Sequence, residues 1–202
     1  MTVIRTEVLA PVDCVTTPRH LTAAELDAGL AHVLAAPRDR GTLELVVRRP
    51  AVDAREILDV GELDLTSGLV GDTWAVRGSR RTDDGSSHPD MQLNVINARF
   101  AALVAGDDRS AWSLAGDQLY VDLDLSVEAL PAGTRLGLGE DAVIEVTDQP
   151  HTGCAKFAAR FGRDAHQLVW TDRAKALRLR GLNARVVIPG TIRPGDAVRV
   201  LG

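Results

Sequence analysis

A mainly β fold with a few helices, arranged as a barrel or a sandwich, is what this chain predicts, and three observations predict it. Short β-rich runs recur from Thr42 onward: LELVV, QLNVI, LYVDLDL, AVIEV, ARVVI and AVRVL. Tight turns punctuate them at Gly71-Asp72, Gly106-Asp107, Gly116-Asp117 and Gly195-Asp196, where glycine tolerates positive φ and aspartate can bond its own backbone. Aromatic residues are only 3% of a chain that is 45% hydrophobic, so the core is built from Val, Leu, Ile and Ala. Many short strands joined this way close into a barrel or stack as two sheets. The 202 residues are read as a single domain, 1–202, with no repeat of fixed period and no dividing linker.

The elements follow in order. Thr22 and Glu25 have capping-box spacing, with Leu21 and Leu26 placed as a hydrophobic staple, so a helix starts there and runs to about Ala35. Leu26, Leu30, Val33 and Leu34 recur at helical spacing, and Pro37 stops the pattern. The segment GSRRTDDGSSHPD, ending at Asp90, is polar and reads as a surface loop. Residues Asn97 to Ala105 read as a short helix. Leu119, Val121, Leu123 and Leu125 alternate with Tyr120, Asp122 and Asp124, which predicts a strand with one buried and one wet face. A further helix is expected after Gly153, through Lys156, Phe157 and Phe161 to about Gly162.

Charge and composition exclude several function classes. The net charge of −5, from 23 basic against 28 acidic residues, offers no global positive field, and few aromatics are present to stack bases, so no nucleic acid partner is expected. No run approaches the roughly 18 apolar residues of a membrane span. The opening MTVIRTEVLAPVDC has no basic segment followed by an apolar block, so a soluble, cytoplasmic protein is expected. Cys14 and Cys154 lie far apart, and a disulfide scaffold is not expected in a reducing compartment.

Gly137-Leu138-Gly139-Glu140-Asp141-Ala142 matches a G-x-G-x-x-A fingerprint, but a strand-like run, Val143 to Val146, follows where a dinucleotide site needs a helix. These glycines are therefore a hairpin connection. The chain has no G-x-x-x-x-G-K-[ST] phosphate loop and no G-x-S-x-G nucleophile elbow. Its informative stretch is Gln149-Pro150-His151-Thr152-Gly153-Cys154-Ala155-Lys156-Phe157, where a thiol follows a strand and a turn and precedes a helix. A helix N-terminus and neighbouring cations favour the thiolate, and His151 and Lys156 are the local candidates. The plainer alternative is a small buried hydrophobe. A zinc site on His151 and Cys154 would need a third ligand, for which His88 or His166 would have to be recruited. Cys14, His20 and His32 read as structural, capping or solvated residues. Asp122 and Asp124 form a same-face carboxylate pair that faces water, and Arg173, Lys175, Arg178 and Arg180 form a basic run read as a solvated face that could also meet a phosphate.

The stretch LGEDAVIEVTDQPHTGCAKFAARFG, continued by LRLRGLNARVVIPGTIRPGDAVRVLG, resembles the MOSC domain, named for the C-terminal domain of molybdenum cofactor sulfurase. Gly68-Leu69-Val70-Gly71-Asp72 resembles the family's G-x-x-G-D element, and Ala115-Gly116-Asp117-Gln118-Leu119 stands where its G-E-N-L-like element falls. The likeness covers about 66–202, leaving 1–60 as an extension that completes the barrel or packs on it. Where many members have a P-R-x-P-C type element, this chain has Gln149 to Cys154, and Ser87-His88-Pro89 replaces the His-Gly-Gly of some relatives.

The resemblance implies a compact MOSC-type β-barrel with the N-terminal helix packed on it. It also implies molybdenum cofactor (molybdopterin) binding or sulfur transfer, with Cys154 ligating molybdenum or carrying a persulfide and His151, Thr152 and Lys156 around the cofactor. Pyridoxal phosphate would enter only through a partner cysteine desulfurase. Some relatives reduce N-hydroxylated compounds on a cysteine-ligated molybdenum cofactor, which would require an electron-transfer partner. A non-catalytic binding barrel with an inert, buried Cys154 is the reading from another class.

Overall fold

The computed structural model describes residues 17–201. Cys14 lies outside them. Eleven strands occur among these residues: β1 (Arg40–Arg48), β2 (Glu56–Leu58), β3 (Gly61–Asp64), β4 (Gly68–Leu69), β5 (Leu93–Asn97), β6 (Leu119–Asp122), β7 (Arg135–Leu138), β8 (Ala142–Val146), β9 (Leu182–Ile188), β10 (Gly190–Ile192) and β11 (Ala197–Leu201). Seven of them form a closed barrel in the order β11-β7-β8-β9-β5-β6-β1, sealed by β1 against β11 with Thr42 opposite Ala197. Closure removes the unpaired edges that an open sheet would expose. Strand β2 extends β1 outside the ring, and β10-β3-β4 make a separate small sheet.

Every barrel pair is antiparallel except β5 and β6. A parallel pair needs a long crossover. Here it carries α3 (Ala98–Ala105), capped by Asn97, and α4 (Arg109–Trp112), capped by Asp108. The expected hairpin at Gly139 forms between β7 and β8, which pair as Leu138 to Ala142.

Two apolar clusters lie on opposite sides of the barrel wall. Leu43, Val46, Val121, Leu136, Ile144 and Val198 fill the interior. Leu45, Val47, Ile96 and Tyr120 point outward into a second cluster with Leu26, Leu30, Phe100, Phe157 and Phe161. LELVV can serve both because the register of β1 on β6 shifts between Leu43 and Leu45; a bulge there changes which face the following residues take. The outer cluster is roofed by α1 (Ala23–Leu34), α5 (Ala155–Phe161), α6 (Arg163–Trp170) and α7 (Asp172–Ala176), and a short α2 (Trp74–Arg77) follows β4. Helix α1 has the expected capping box, with Thr22 accepting from the Glu25 amide and Glu25 accepting from the Thr22 amide.

Three expectations are corrected. The outer face of β6 is not wet at Tyr120, which is fully buried and donates its hydroxyl to the Trp112 carbonyl, because helices cover that side of the barrel. Asp122 and Asp124 are half-buried, but each is held by an arginine, Arg99 and Arg38 respectively, so they are not a working carboxylate pair. The basic run is not one solvated face: Arg173 and Lys175 are exposed on α7, whereas Arg180 is 7% exposed and pairs with Asp117 inside the fold.

Candidate functional site

The chain turns inward at several points around one end of the barrel, and these turns frame a cleft of about 420 Å³. Its walls come from the segment after β1 (Arg49 to Arg55), the loop after α2, the start of β5, the turn at Gly116, and the stretch from Pro150 into α5. His151, Thr152, Cys154 and Lys156 all line it, so the fold brings the four residues singled out in the sequence to one place. Gly153 permits this arrangement. A Cβ there would stand 2.9 Å from Val169 Cγ2, so a larger residue would push the loop leading to Cys154 away from α6 or displace Val169.

Cys154 is exposed and occupies the cap position of α5, where its carbonyl accepts from the Phe157 and Ala158 amides. The thiol is therefore not buried, as one reading of the sequence had it. Lys156 turns to Asp53, pairing through Nζ, and Arg160 approaches the same carboxylate at 3.5 Å. His151 has its Nδ1 3.4 Å from Asp117 Oδ1 without a hydrogen bond between them. Burial first, then the charges of Arg180 and Arg49, push the imidazole well below its ordinary range, so at neutral pH it is uncharged and the contact is no ion pair.

Sequence reasoning missed the polar frame behind these residues. Arg49 donates from its amide, Nε and Nη2 to the Asp72 carboxylate, and from Nη1 to Asn94 and the Gly116 carbonyl. Asn94 passes a hydrogen bond to Asn183, which donates to the Gln149 carbonyl beside His151. Arg180 donates from Nη1 to both oxygens of Asp117 at 2.9 and 2.7 Å, and from Nη2 to the Ala115 carbonyl. Burial raises the Asp117 carboxyl above its ordinary value, and Arg180 opposes that rise. The sequence signals for this frame were Arg180, the last cation of the basic run, and the Gly-Asp pairs at 71–72 and 116–117. Their glycines do take positive φ, but their aspartates face inward to arginines rather than serving the turns alone.

Seven cationic side chains line the cleft against one carboxylate, Asp53. Among the described residues Arg55, Arg77 and Arg81 have no carboxylate within salt-bridge distance. Burial first, then Arg160 and Arg49, push the Arg55 guanidinium down from its ordinary value, and Asp53 opposes that fall. Three buried side-chain nitrogens lack a hydrogen-bond partner among the described residues: Arg55 Nε, His151 Nδ1 and Arg180 Nε. All three belong to residues of this one cleft. Buried polar atoms are rarely left unpaired. Their concentration here leaves the frame behind the cleft with unsatisfied positive or donor character.

The zinc alternative gains nothing from the geometry. His88 caps a single 3-10 turn, His166 accepts from Trp170 Nε1, and neither lines the cleft. No group of three or more His, Cys, Asp or Glu side chains is gathered for a metal among the described residues.

The MOSC domain matches residues 87–199. That span leaves β1, the strand that closes the barrel, upstream of the match. Among solved structures, the YUAD protein from Bacillus subtilis superposes with a TM-score of 0.56 at 16% identity, covering 80% of this chain and 95% of its own. A hypothetical protein superposes at 0.54 with 22% identity, covering 82% of this chain and 69% of that one. YiiM from Escherichia coli superposes at 0.51 with 20% identity, covering 81% of this chain and 70% of that one. At these identities the likeness is one of fold. No curated protein gives a significant match.

Proposed function

The chain belongs to the MOSC domain family, and from that premise we propose that the arginine-lined cleft binds a molybdenum cofactor, with Cys154 as the protein ligand to the metal. The family is one of molybdenum-cofactor-related or sulfur-transfer domains. The observation that carries the proposal is the meeting of three unpartnered buried nitrogens, an excess of arginine and one exposed thiol in a single cleft.

The residues present fit such a group. A pterin cofactor bears a phosphate and a ring edge rich in acceptors, and guanidinium is the side chain best shaped to bind phosphate through paired N–H groups. Arg55, Arg77 and Arg81 are the cations left for that phosphate, while Arg49 and Arg180 are fixed by Asp72 and Asp117 and so present their remaining N–H groups without further ordering. Cys154, as thiolate, is a soft ligand suited to molybdenum. When bound, the cofactor would supply two-electron redox chemistry at the metal. The protein's own part is to hold the anion, offer the thiolate, and keep His151 neutral so that it can exchange a hydrogen bond rather than add charge.

A second reading is favoured by the exposure of Cys154, which a protein-borne persulfide can reach. The Cys154 thiolate would attack the outer sulfur of a donor persulfide, taking that sulfur and releasing the donor as its thiolate. Pyridoxal phosphate would then belong to the partner desulfurase.

Molybdenum and pterin content, measured on protein from a cofactor-producing host, tests the proposal. Near-equimolar cofactor is expected in the wild type, with molybdenum lost in Cys154→Ala and pterin lost in Arg55→Gln/Arg77→Gln. A wild type free of both would overturn cofactor binding. Persulfide formation on Cys154 when incubated with a desulfurase and cysteine would then support the second reading. Molybdenum-dependent reduction of an N-hydroxylated compound with an artificial electron donor distinguishes a loaded reductase from a carrier.

A further inference from the structure

A second cavity, about 490 Å³, lies on the other side of the Pro150-His151-Thr152 segment. It shares those three residues and Arg180 with the thiol cleft, so one thin wall separates the two. Its lining differs in kind: Val127, Pro131, Val169, Trp170 and Leu182 supply mostly apolar surface, and Lys175, Arg178 and one carboxylate, Asp148, stand among them. Both volume and lining fall in the range of small-molecule sites, which run from about 300 to 1,000 Å³ and combine an apolar body with a few placed polar groups.

Arg178 is the informative residue. It is half-buried, and among the described residues no carboxylate lies within salt-bridge distance of it. Only its Nη1 is engaged, by the Leu130 carbonyl at 2.6 Å and the Leu125 carbonyl at 3.4 Å. Carbonyl oxygens orient a guanidinium but do not neutralise it. Its backbone is left-handed, with φ of 47°, a conformation that an arginine adopts only at a cost. Among the described residues just one other non-glycine residue does so, Asp53 with φ of 61°, and Asp53 lines the thiol cleft. Each cavity thus has one strained residue in its lining. Trp170, 44% exposed, contributes a large apolar surface, with Lys175 Nζ 5.7 Å from its ring centre.

We propose that this second cavity binds a small aromatic or otherwise flat apolar molecule carrying one anionic group, its body against Trp170, Val169 and Leu182 and its anion on Arg178. Such a ligand would meet the same wall, His151 and Arg180, that bounds the thiol cleft. The proposal does not depend on what the cleft itself holds.

The test is calorimetric titration of the full chain with benzoate, 2-naphthoate and indole-3-acetate, using 2-naphthylmethanol as the uncharged control. Saturable 1:1 binding of at least one carboxylate is expected. Trp170→Ala and Arg178→Met should each weaken it about tenfold or more, Arg178→Met without changing the affinity for the alcohol. Because Arg178 also holds two carbonyls, Val127→Trp serves as a second variant: Val127 is 49% exposed, and the indole would fill the cavity without touching the core. It should abolish binding while leaving the melting temperature unchanged. Arg55→Gln, in the thiol cleft, should leave binding intact. No saturable binding of any of the three at millimolar concentration would overturn the proposal. So would binding that survives Trp170→Ala, Arg178→Met and Val127→Trp, or binding that Arg55→Gln removes, which would place the probe in the thiol cleft.

Discussion

His151 shows what one side chain can carry. It separates the two cavities, sits 3.4 Å from Asp117, and lies close to Gly181, where a Cβ would come within 2.3 Å of the Val95 carbonyl and 3.1 Å of His151 Nδ1. With φ of 104° at Gly181 as well, that position is reserved for glycine, and the histidine owes its seat to it. Burial and the facing charges of Arg180 and Arg49 outweigh Asp117 and hold the imidazole neutral. A histidine whose folded pKa is depressed takes up its proton in the unfolded chain first, so its contribution is full above about pH 6.5 and is lost as pH falls. Thermal unfolding between pH 7 and 5 should show stability falling by up to about 1.4 kcal/mol per pH unit from this group. In His151→Gln that slope should flatten; an unchanged slope would show the imidazole to be freely protonated in the fold. The sequence marked His151 for its place beside Cys154, but its neutrality comes from burial first and then from arginines 29 and 102 residues away in the chain.

At the scale of elements, those with local causes were legible and those with distant causes were not. Helix α1 was readable because its cap and its apolar spacing are written within thirteen residues, from Thr22 to Leu34. Thr22→Ala should cost about 1 kcal/mol in chemical denaturation, the usual worth of such a cap, while leaving the alkylation rate of Cys154 unchanged. A loss near zero would mean that packing of Leu26, Leu30 and Val33 alone holds the helix. By contrast β2, β4 and β10 are two or three residues long and owe their extended form to partners across the chain, as β10 does to β3 with Gly190 opposite Leu63. Strand β6 was legible as a strand but not in its outer face, since the cluster that encloses Tyr120 is assembled from helices on both sides of it in sequence, with Trp112 of α4 against its ring and hydroxyl.

For the whole molecule the distribution of charge matters more than its total. The chain carries −5, yet the walls of the thiol cleft carry seven cations and one carboxylate. A cleft lined by one sign of charge concentrates ions of the other, and salt weakens that effect. In a Cys14→Ser background, iodoacetate should alkylate Cys154 faster, relative to iodoacetamide, than it alkylates a free thiol such as glutathione. Raising the salt from about 0.01 M to 1 M, which shortens the Debye length from about 30 Å to 3 Å, should bring the ratio back toward that of the free thiol. A ratio no higher than that of glutathione at low salt would mean that the cleft's field does not reach the sulfur.

The sequence by itself determined the mainly β composition, the capped N-terminal helix, the turn positions and the segment that carries Cys154. Each rests on residues within a few positions of one another, where propensity, capping and side-chain period act. Closure of the barrel, the helical roof over Tyr120, the pairing of Arg49 with Asp72 and Arg180 with Asp117, and the two cavities that share His151 were decided by tertiary structure alone. Burial and charge compensation depend on which distant segments meet. No local pattern tells an arginine that will be solvated from one that will be enclosed beside an aspartate 63 residues away.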